Sequence, residues 1–398
     1  MDIEDIVQLE QQYVLQTYKR APFVLERGEG VYLYDAAGRR YLDCVSGIAV
    51  NALGYGDPEV LAALTAQAGR LAHCSNLYHS APQALLARDL VQRSFADRAF
   101  FSNSGTEACE AALKFARKWQ RVNHPGEDRA GIVAFTGSFH GRTMGALAAT
   151  HREKYRQPFE PLVPGVSFAP FNDVAAARAA IGPHTGAVIV EPLQGEGGVN
   201  PARPEFLCEL RRACDEQGAL LIFDEVQCGL GRTGTLWAHE AARVAPDLMT
   251  LAKPLGGGLP IGAVLLTQRV ADAIVPGDHG STFAANPIIC AVARVVLQRV
   301  SAPAFLAGVR ERGRELEAGL NGLKARHPII RDVRGCGLIW GLELAVDAAP
   351  LIGRGYEHGL VMANAGDRVL RLLPPLVVSK EHIDEAVAII DQVLATAE

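Results

Sequence analysis

Short apolar runs alternate with longer helical stretches through the middle of the chain, and this alternation restricts the fold more than any other feature. Several runs are apolar throughout, as expected for strands that are covered on both faces of a sheet. Strands that alternate with helices pair in parallel, so the pattern predicts an α/β fold with a mostly parallel sheet. The predicted strands are RAFFSN (98–103), GIVAF (131–135), VSFAPF (166–171), GAVIVEP (186–192), ALLIFDEV (219–226), LMTLAK (248–253) and IGAVLL (261–266).

The two ends of the chain differ from the middle. Residues 21–50 predict a small β-meander with turns at GEG and AAGR. From about residue 305 onward the pattern predicts a charged helix, a strand pair in RGCGLIWGLELA, the segment RVLRLLPPLVV and a last helix from about residue 380. We therefore expect a large α/β domain over residues 56–300 and a small α+β domain formed by residues 1–55 and 301–398.

The charge and the cysteines exclude several classes of function. A net charge of -5 argues against nucleic acid or an anionic membrane as the partner. No 18-residue apolar run occurs, and the start MDIEDIVQLE is acidic, so we expect neither a membrane span nor a secretory signal. The eight cysteines lack C-x-x-C spacing, which favours reduced thiols in a cytoplasmic protein without a metal site.

Polar residues follow the predicted strands, where ligands bind in α/β sheets. Ser104, Gly105 and Thr106 precede the predicted helix EACEAALKFARKWQRV (107–122), and a helix N-terminus of this kind binds anions, phosphate especially. The alternative is a plain capping box between Ser104 and Glu107.

The next loops add an arginine and acids. Arg142 follows GIVAF and offers a planar fork for a carboxylate, although a surface arginine is the simpler interpretation. Asp224 ends the strand ALLIF, and a buried acid at that position needs a cationic partner or hydrogen bonds.

The segment Gly229-Leu230-Gly231-Arg232-Thr233-Gly234 fits G-x-G-x-x-G, the dinucleotide-binding motif. That motif needs glycines that open a helix directly and an acid about 20 residues later. Here acids end the strand before the glycines, and position 254 is proline. A nicotinamide-dependent oxidoreductase is therefore the weaker alternative to the chemistry described next.

Lys253 ends an apolar run and precedes Pro-Leu-Gly-Gly-Gly. A buried lysine with a depressed pKa becomes a nucleophile toward aldehydes. Pyridoxal phosphate chemistry needs such a lysine, an acid for the pyridinium nitrogen and an anion site for the phosphate. Lys253 supplies the lysine, Asp224 the acid and the loop 104–106 the anion site. Pro254 biases Lys253 away from helical angles.

These segments resemble the class III (ornithine-type) aminotransferases of fold type I, the aspartate aminotransferase-like fold. The resemblance covers nearly the whole chain and is carried by VLERGEGVYLYDAAGRRYLDCVSGIAV, NSGTEACEAALKFAR, FTGSFHGRT, EPLQGEGGV, LIFDEVQCGLGRTG, TLAKPLGGGLPIGA, GSTFAANP and RLLPPLVV. It implies pyridoxal 5'-phosphate as the cofactor and a homodimer as the assembly. An idle relative that serves only as a binding protein is the remaining alternative.

The resemblance also implies a role for each site residue. Lys253 would bond to the cofactor's aldehyde and move a proton, and Asp224 would pair with the ring nitrogen. Phe139 and Val226 would cover the two ring faces, and Gln227 would approach the ring hydroxyl. The residues implied to contact the cofactor are Ser104, Gly105, Thr106, Phe139, His140, Asp224, Val226, Gln227, Lys253 and Thr282 of the partner subunit; those implied to contact the substrate are Arg142, Glu191, Glu196 and Arg371.

For the substrates, the resemblance implies an amino donor and 2-oxoglutarate or glutamate. It is strongest to the branch of the family that acts on N-acetyl-L-ornithine. Other donors remain open, namely ornithine, succinylornithine, succinyl-diaminopimelate, 4-aminobutyrate and carrier-linked lysine, as does the aminomutase branch. Glu196 is expected to pair with Arg371 and to release it for a dicarboxylate, although a solvated glutamate in a Gly-rich loop is the alternative.

One segment and two single residues depart from the pattern of the family. The segment is Asn51-Ala52-Leu53-Gly54-Tyr55-Gly56-Asp57-Pro58, where N-N-L-G-H-x-H-P is common and which we expect near the substrate entrance. The single residues are Cys109, where Asn is common, and Pro254, where Gly or Ala is common. None of them removes a catalytic group.

Overall fold

Strands and helices alternate through residues 3–396, the part of the chain that this computed structural model describes. The strands are β1 (Leu25–Glu29), β2 (Tyr32–Asp35), β3 (Arg40–Asp43), β4 (Arg98–Ser102), β5 (Gly131–Phe135), β6 (Val166–Ala169), β7 (Thr185–Val190), β8 (Leu193–Gln194), β9 (Asn200–Pro201), β10 (Leu220–Asp224), β11 (Leu248–Leu251), β12 (Gly262–Leu266), β13 (Ile330–Cys336), β14 (Ile339–Leu344), β15 (Leu360–Val361), β16 (Ala363–Asn364) and β17 (Val369–Leu372). The helices are α1 (Ile3–Tyr13), α2 (Ser46–Ala49), α3 (Pro58–Ala68), α4 (Ala81–Val91), α5 (Gly105–Asn123), α6 (Met144–Ala148), α7 (Glu153–Arg156), α8 (Val174–Ala180), α9 (Pro204–Gln217), α10 (Gln268–Ala271), α11 (Pro287–Val300), α12 (Pro303–Arg326), α13 (Ala349–Glu357) and α14 (Lys380–Ala395).

A seven-stranded sheet with the order β4-β12-β11-β10-β7-β5-β6 forms the centre of the fold. The strand pairs from β11 to β6 are parallel, whereas β12 runs antiparallel to both β11 and β4. The predicted α/β fold with a mostly parallel sheet is confirmed. The reversed strand β12 could not be recognised from its sequence, because a buried antiparallel strand has the same apolar composition as a parallel one.

Helices cover both faces of this sheet, which explains the continuous apolar runs. In β10, Ile222 packs on one face against Ala108, Phe115 and Trp119 of α5. The next residue, Phe223, points to the other face and packs against α9. The predicted helix 107–122 is confirmed as α5 with slightly wider bounds, and its apolar residues are buried.

The segments near the two ends of the chain pack together. β1, β2 and β3 form the predicted meander, and β15 from the C-terminal part joins the sheet in parallel with β3. The predicted strand pair is the β13–β14 hairpin, and β17 and β16 extend its sheet. Apolar residues of β3, β14 and α14 share one core cluster. The proposed domain limits at residues 55/56 and 300/301 stay predictions.

Within the described residues, no single helix is long and apolar enough to cross a membrane. The pair α11 and α12, bent by 66°, meets the length and composition requirement only when both helices are counted together. All eight cysteines are free thiols.

Candidate active site

A cavity of about 450 Å³ opens beside the carboxyl ends of the parallel strands, where ligands bind in such sheets. Of the residues predicted for the site, those that line the cavity are Ser104, Gly105, Thr106, Phe139, His140, Arg142, Glu191, Glu196, Asp224, Val226, Gln227 and Lys253. The structure therefore brings together residues that are far apart in the sequence. Arg371 lies directly behind Glu196, and Thr282 is exposed outside the lining.

Asp224, the last residue of β10, is a buried carboxylate with donors on both of its oxygens. Oδ2 accepts from His140 Nδ1 at 2.7 Å and from Cys109 Sγ at 3.3 Å. Oδ1 accepts from Thr250 Oγ1 at 3.0 Å and from the N–H of Val226 at 3.1 Å. Burial alone would raise the pKa of Asp224, but the hydrogen bond and charge of His140 hold that pKa below its ordinary value. The carboxylate is therefore ready to pair with a cation in the cavity.

Lys253 follows β11 in a strained backbone conformation with φ +38°. Pro254 was expected to keep Lys253 out of a right-handed helix. Lys253 does avoid that region, but it adopts a left-handed φ and begins a single 3₁₀ turn, Lys253–Gly256, rather than extended backbone. Strain of this kind persists where the surroundings hold it, and it gathers at functional sites. Burial lowers the pKa of the Lys253 amine, and the charge of Glu196 opposes part of that shift.

The N-terminus of α5 lies at the cavity, where the sequence predicts an anion site. Its first residues, Gly105 and Thr106, line the cavity, and the first turn of a helix leaves N–H groups without intrahelical acceptors. Ser104 also caps this helix, because its Oγ accepts from the N–H of Glu107 at 3.3 Å and donates to Glu107 Oε2 at 2.9 Å. The capping box is incomplete, since Glu107 Oε2 accepts from the N–H of Asn103 instead of that of Ser104. The two interpretations of this loop are therefore compatible.

The loop after β5 is tied to this helix start. Thr106 Oγ1 accepts from the N–H groups of Arg142 and Thr143, each at 3.1 Å. The Arg142 guanidinium is exposed and lies 3.6 Å from the centre of the Tyr155 ring. Stacking orients the guanidinium while leaving its N–H groups free for a carboxylate.

Glu196 and Arg371 form an ion pair at 2.5 Å between the loop after β8 and β17. Arg371 is almost fully buried, and it also donates to Gln227 Oε1 at 3.1 Å. Burial alone would raise the pKa of Glu196, but the charges of Arg371 and Lys253 keep that pKa below its ordinary value. Gln227 thus contacts this ion pair, in addition to the ring hydroxyl contact implied for it.

Glu191 is a buried acid whose Oε2 accepts from the N–H of Phe139 at 3.1 Å. Burial, followed by the charge of Asp224, raises the pKa of Glu191 well above its ordinary value. Its oxygen therefore positions the loop that carries the Phe139 ring.

Several residues of the site were not found from the sequence. Cys109 and Thr250 hold Asp224, and a polar residue inside the apolar run LMTL was the available signal for Thr250. Apolar walls come from Val50, Leu193, Leu259, Pro260 and Ile261, which no spacing rule distinguishes from core residues.

The segment 51–58 was expected near the substrate entrance. Among the described residues none of this segment lines the cavity, whereas Val50, directly before it, does. Its residues have structural contacts instead. Tyr55 donates to the buried Asp43 at 2.6 Å, and the Asp57 side chain accepts from N–H groups at the start of α3.

The G-x-G-x-x-G segment does not open a helix and is not part of the cavity lining in the described chain. Arg232 is fully buried and donates to the main-chain oxygens of Leu338 and Pro374. The segment therefore connects the central sheet to the C-terminal strands and is not a nucleotide-binding turn.

Cys109, His140 and Asp224 have potential metal-ligand atoms within 4.8 Å of one another, as the described residues show. Their atoms already bond to each other around the Asp224 carboxylate. The absence of a metal stays a prediction.

Comparison with known proteins adds to this geometry. The family described as aminotransferase class-III matches residues 13–394. The chain is 52% identical to the mitochondrial acetylornithine aminotransferase of Alnus glutinosa, covering 98% of this chain and 88% of the relative. It is 48% identical to the acetylornithine aminotransferase of Rhodobacter capsulatus, covering 97% and 98%. A solved ornithine aminotransferase from Toxoplasma gondii, with PLP at partial occupancy in its active site, has a TM-score of 0.95 at 34% identity and covers 99% of this chain and 94% of its own.

Gly262 tests the geometry of the anion site. A Cβ there would lie 2.2 Å from the main-chain oxygen of Ser104, so Gly262→Ala should displace the loop before α5. We expect weaker binding of PLP and a loss of about 2 kcal/mol in the free energy of unfolding. Fluorescence titration of the PLP-free protein and denaturant unfolding measure the two effects.

Gly308→Ala is the matched control, because its added Cβ meets no heavy atom within 4 Å. It should leave PLP affinity unchanged. Wild-type PLP affinity in Gly262→Ala would show that this loop does not hold the cofactor.

Proposed function

This chain belongs to the class-III aminotransferase family, and from that premise we propose that it transfers the terminal amino group of N-acetyl-L-ornithine to 2-oxoglutarate. The products are N-acetyl-L-glutamate 5-semialdehyde and L-glutamate. The observation that carries the proposal is one cavity lined by Lys253, Asp224, the start of α5 and Glu196, with Arg371 behind it.

The residues of the cavity fit pyridoxal phosphate, the cofactor of this family. The N–H groups at the start of α5 suit the phosphate, and the Asp224 carboxylate suits the protonated ring nitrogen. When bound, the cofactor supplies an aldehyde for the amino group and a ring that draws electrons from the reacting carbon.

Lys253 would hold the cofactor through its aldehyde group. Its lowered pKa favours the neutral amine, so its Nζ can take a proton from the reacting carbon and return it. Asp224, whose own pKa stays low, would pair with the protonated ring nitrogen. Leu193, Leu259 and Ile261 exclude water from these transfers.

The identity of the donor is supported by the two acetylornithine aminotransferases at 52% and 48% identity. The cavity is compatible with it, because part of the wall is apolar. An acetylated α-amine is neutral, whereas free ornithine would place an extra ammonium group beside that wall.

A panel of donors with 2-oxoglutarate tests the substrate. We expect kcat/KM for N-acetyl-L-ornithine to exceed that for ornithine, 4-aminobutyrate and succinyl-diaminopimelate by about tenfold or more. The panel includes succinylornithine, which differs only in its acyl group. A higher kcat/KM for any other donor would replace the proposed substrate by that donor.

We assign Glu196 the control of carboxylate binding. While it pairs with Arg371, the donor has Arg142 for its α-carboxylate. When 2-oxoglutarate or glutamate is bound, Glu196 would move away and Arg371 would bind the second carboxylate bidentately. One cavity then serves a monocarboxylate and a dicarboxylate in turn.

Glu196→Ala should separate the two half-reactions. The substitution removes the carboxylate that pairs with the buried Arg371 cation. A carboxylate of a bound dicarboxylate can pair with Arg371 in its place. We expect KM for 2-oxoglutarate to fall roughly tenfold and kcat/KM for the donor to decrease. Glu196→Gln, which keeps a hydrogen-bond acceptor, should lie between Glu196→Ala and the wild type. Equal changes in both half-reactions, measured in single turnover, would rule out this control.

We also propose a homodimer in which Thr282 of the partner subunit completes the phosphate site. Thr282 is exposed, and its neighbours Leu77, Tyr78 and Phe283 form an exposed apolar patch. Asn76 holds the two segments together through the main-chain oxygens of Ser281 and Ala284. An exposed apolar patch of this kind favours burial against another subunit.

Hybrid dimers test this assembly. Lys253→Ala should abolish amino transfer, and Thr282→Ala should weaken PLP binding. In a mixed dimer, one of the two sites carries neither Lys253→Ala nor Thr282→Ala. Random pairing of the two variants should therefore recover about a quarter of wild-type activity at limiting PLP. Mixing two batches of Lys253→Ala is the control. No recovery in the mixture would contradict a site shared between subunits.

The cytoplasmic location also stays a proposal. It is supported by the eight free thiols, whereas the Alnus glutinosa relative is described as mitochondrial.

A further inference from the structure

Cys109 contacts the carboxylate of Asp224, which lines the proposed cofactor site. It is on α5, fully buried, with its Sγ 3.3 Å from Asp224 Oδ2 and 3.8 Å from Thr250 Oγ1. The mechanism above does not use this side chain. Its contact is nevertheless with the oxygen that also accepts from His140.

The direction of this hydrogen bond follows from the available protons. Burial, followed by the charge of Asp224, raises the pKa of the Cys109 thiol well above its ordinary value, so the thiol keeps its proton. The Thr250 hydroxyl donates to Asp224 Oδ1 at 3.0 Å. Because an ionised carboxylate only accepts, Cys109 must be the donor to Oδ2.

We propose that Cys109 is a positioning residue for the proposed amino transfer: its S–H group donates to Asp224 Oδ2 and sets how much negative charge Asp224 offers to the ring nitrogen. This inference rests on the proposed function. It concerns the electrostatics of the cofactor site and not the packing of α5.

A thiol is a weak hydrogen-bond donor, so a stronger donor and a group that does not donate should change the charge on Asp224 in opposite directions. A hydroxyl in its place withdraws more charge from the carboxylate, whereas a methyl group withdraws none. Asp224 should therefore become less basic in Cys109→Ser and more basic in Cys109→Ala. Both variants remove the sulfur and leave similar cavities, so a packing defect would affect them in the same direction.

The experiment uses wild type, Cys109→Ser and Cys109→Ala, each loaded with PLP labelled with ¹⁵N in its ring. We expect the ¹⁵N resonance to move toward the protonated position in Cys109→Ala and away from it in Cys109→Ser. The dissociation constant of PLP should be about fivefold larger in Cys109→Ser than in Cys109→Ala.

Cys214→Ser and Cys214→Ala are the matched controls. Cys214 is equally buried, but it lies on α9 in another core cluster. Its variants should leave the ¹⁵N resonance and the PLP dissociation constant unchanged. Thermal unfolding of the PLP-free proteins reports the packing loss separately.

If the ¹⁵N resonance moves in the same direction in both Cys109 variants, or moves in neither, the role of Cys109 is overturned. The proposed function would remain intact. A wild-type protein that binds no PLP would overturn the proposed function and this role with it. If a Cys109 variant does not fold, the infrared S–H band of the wild type decides: a thiol band that moves when PLP binds supports the contact, and unchanged bands overturn it.

Discussion

The buried carboxylate of Asp224 is the interaction on which the rest of the site depends. A charge at this depth is tolerated only when donors surround it. Its donors come from α5, from the loop after β5, from β11 and from the residues that follow β10. These elements must therefore meet at one point, and the parallel strands allow this because their carboxyl ends share one edge of the sheet. The same edge delivers Lys253 and the start of α5.

A second constraint joins the C-terminal strands to this edge. Arg371 lies on β17, is nearly inaccessible to water and pairs with Glu196 from the loop after β8. A buried guanidinium without a carboxylate is costly, so either Glu196 or a bound carboxylate must be present. This requirement is the physical basis of the proposed exchange between Glu196 and a substrate carboxylate at Arg371. It also makes the C-terminal part of the chain necessary for a site whose other groups come from the central sheet.

The backbone around the cavity is strained and closely packed. Lys253 adopts a positive φ, and Gly262 lets β12 approach the main chain of Ser104 more closely than any side chain would permit. Such features cost stability and persist because the surrounding sheet holds them. The Lys253 amine and the start of α5 both line the one cavity.

The seven strands of the central sheet, the helix α5, the lysine after β11 and the acid that ends β10 could be predicted from the sequence, because apolar periodicity and strand-end chemistry are local properties of the chain. The Glu196–Arg371 contact was inferred from the resemblance of the chain to a family. The antiparallel direction of β12, the left-handed φ of Lys253 and the contacts of Tyr55 with Asp43 and of Cys109 with Asp224 became visible in the folded structure alone. These features depend on which residues meet across the sheet, and long-range contacts leave no periodic trace in the chain.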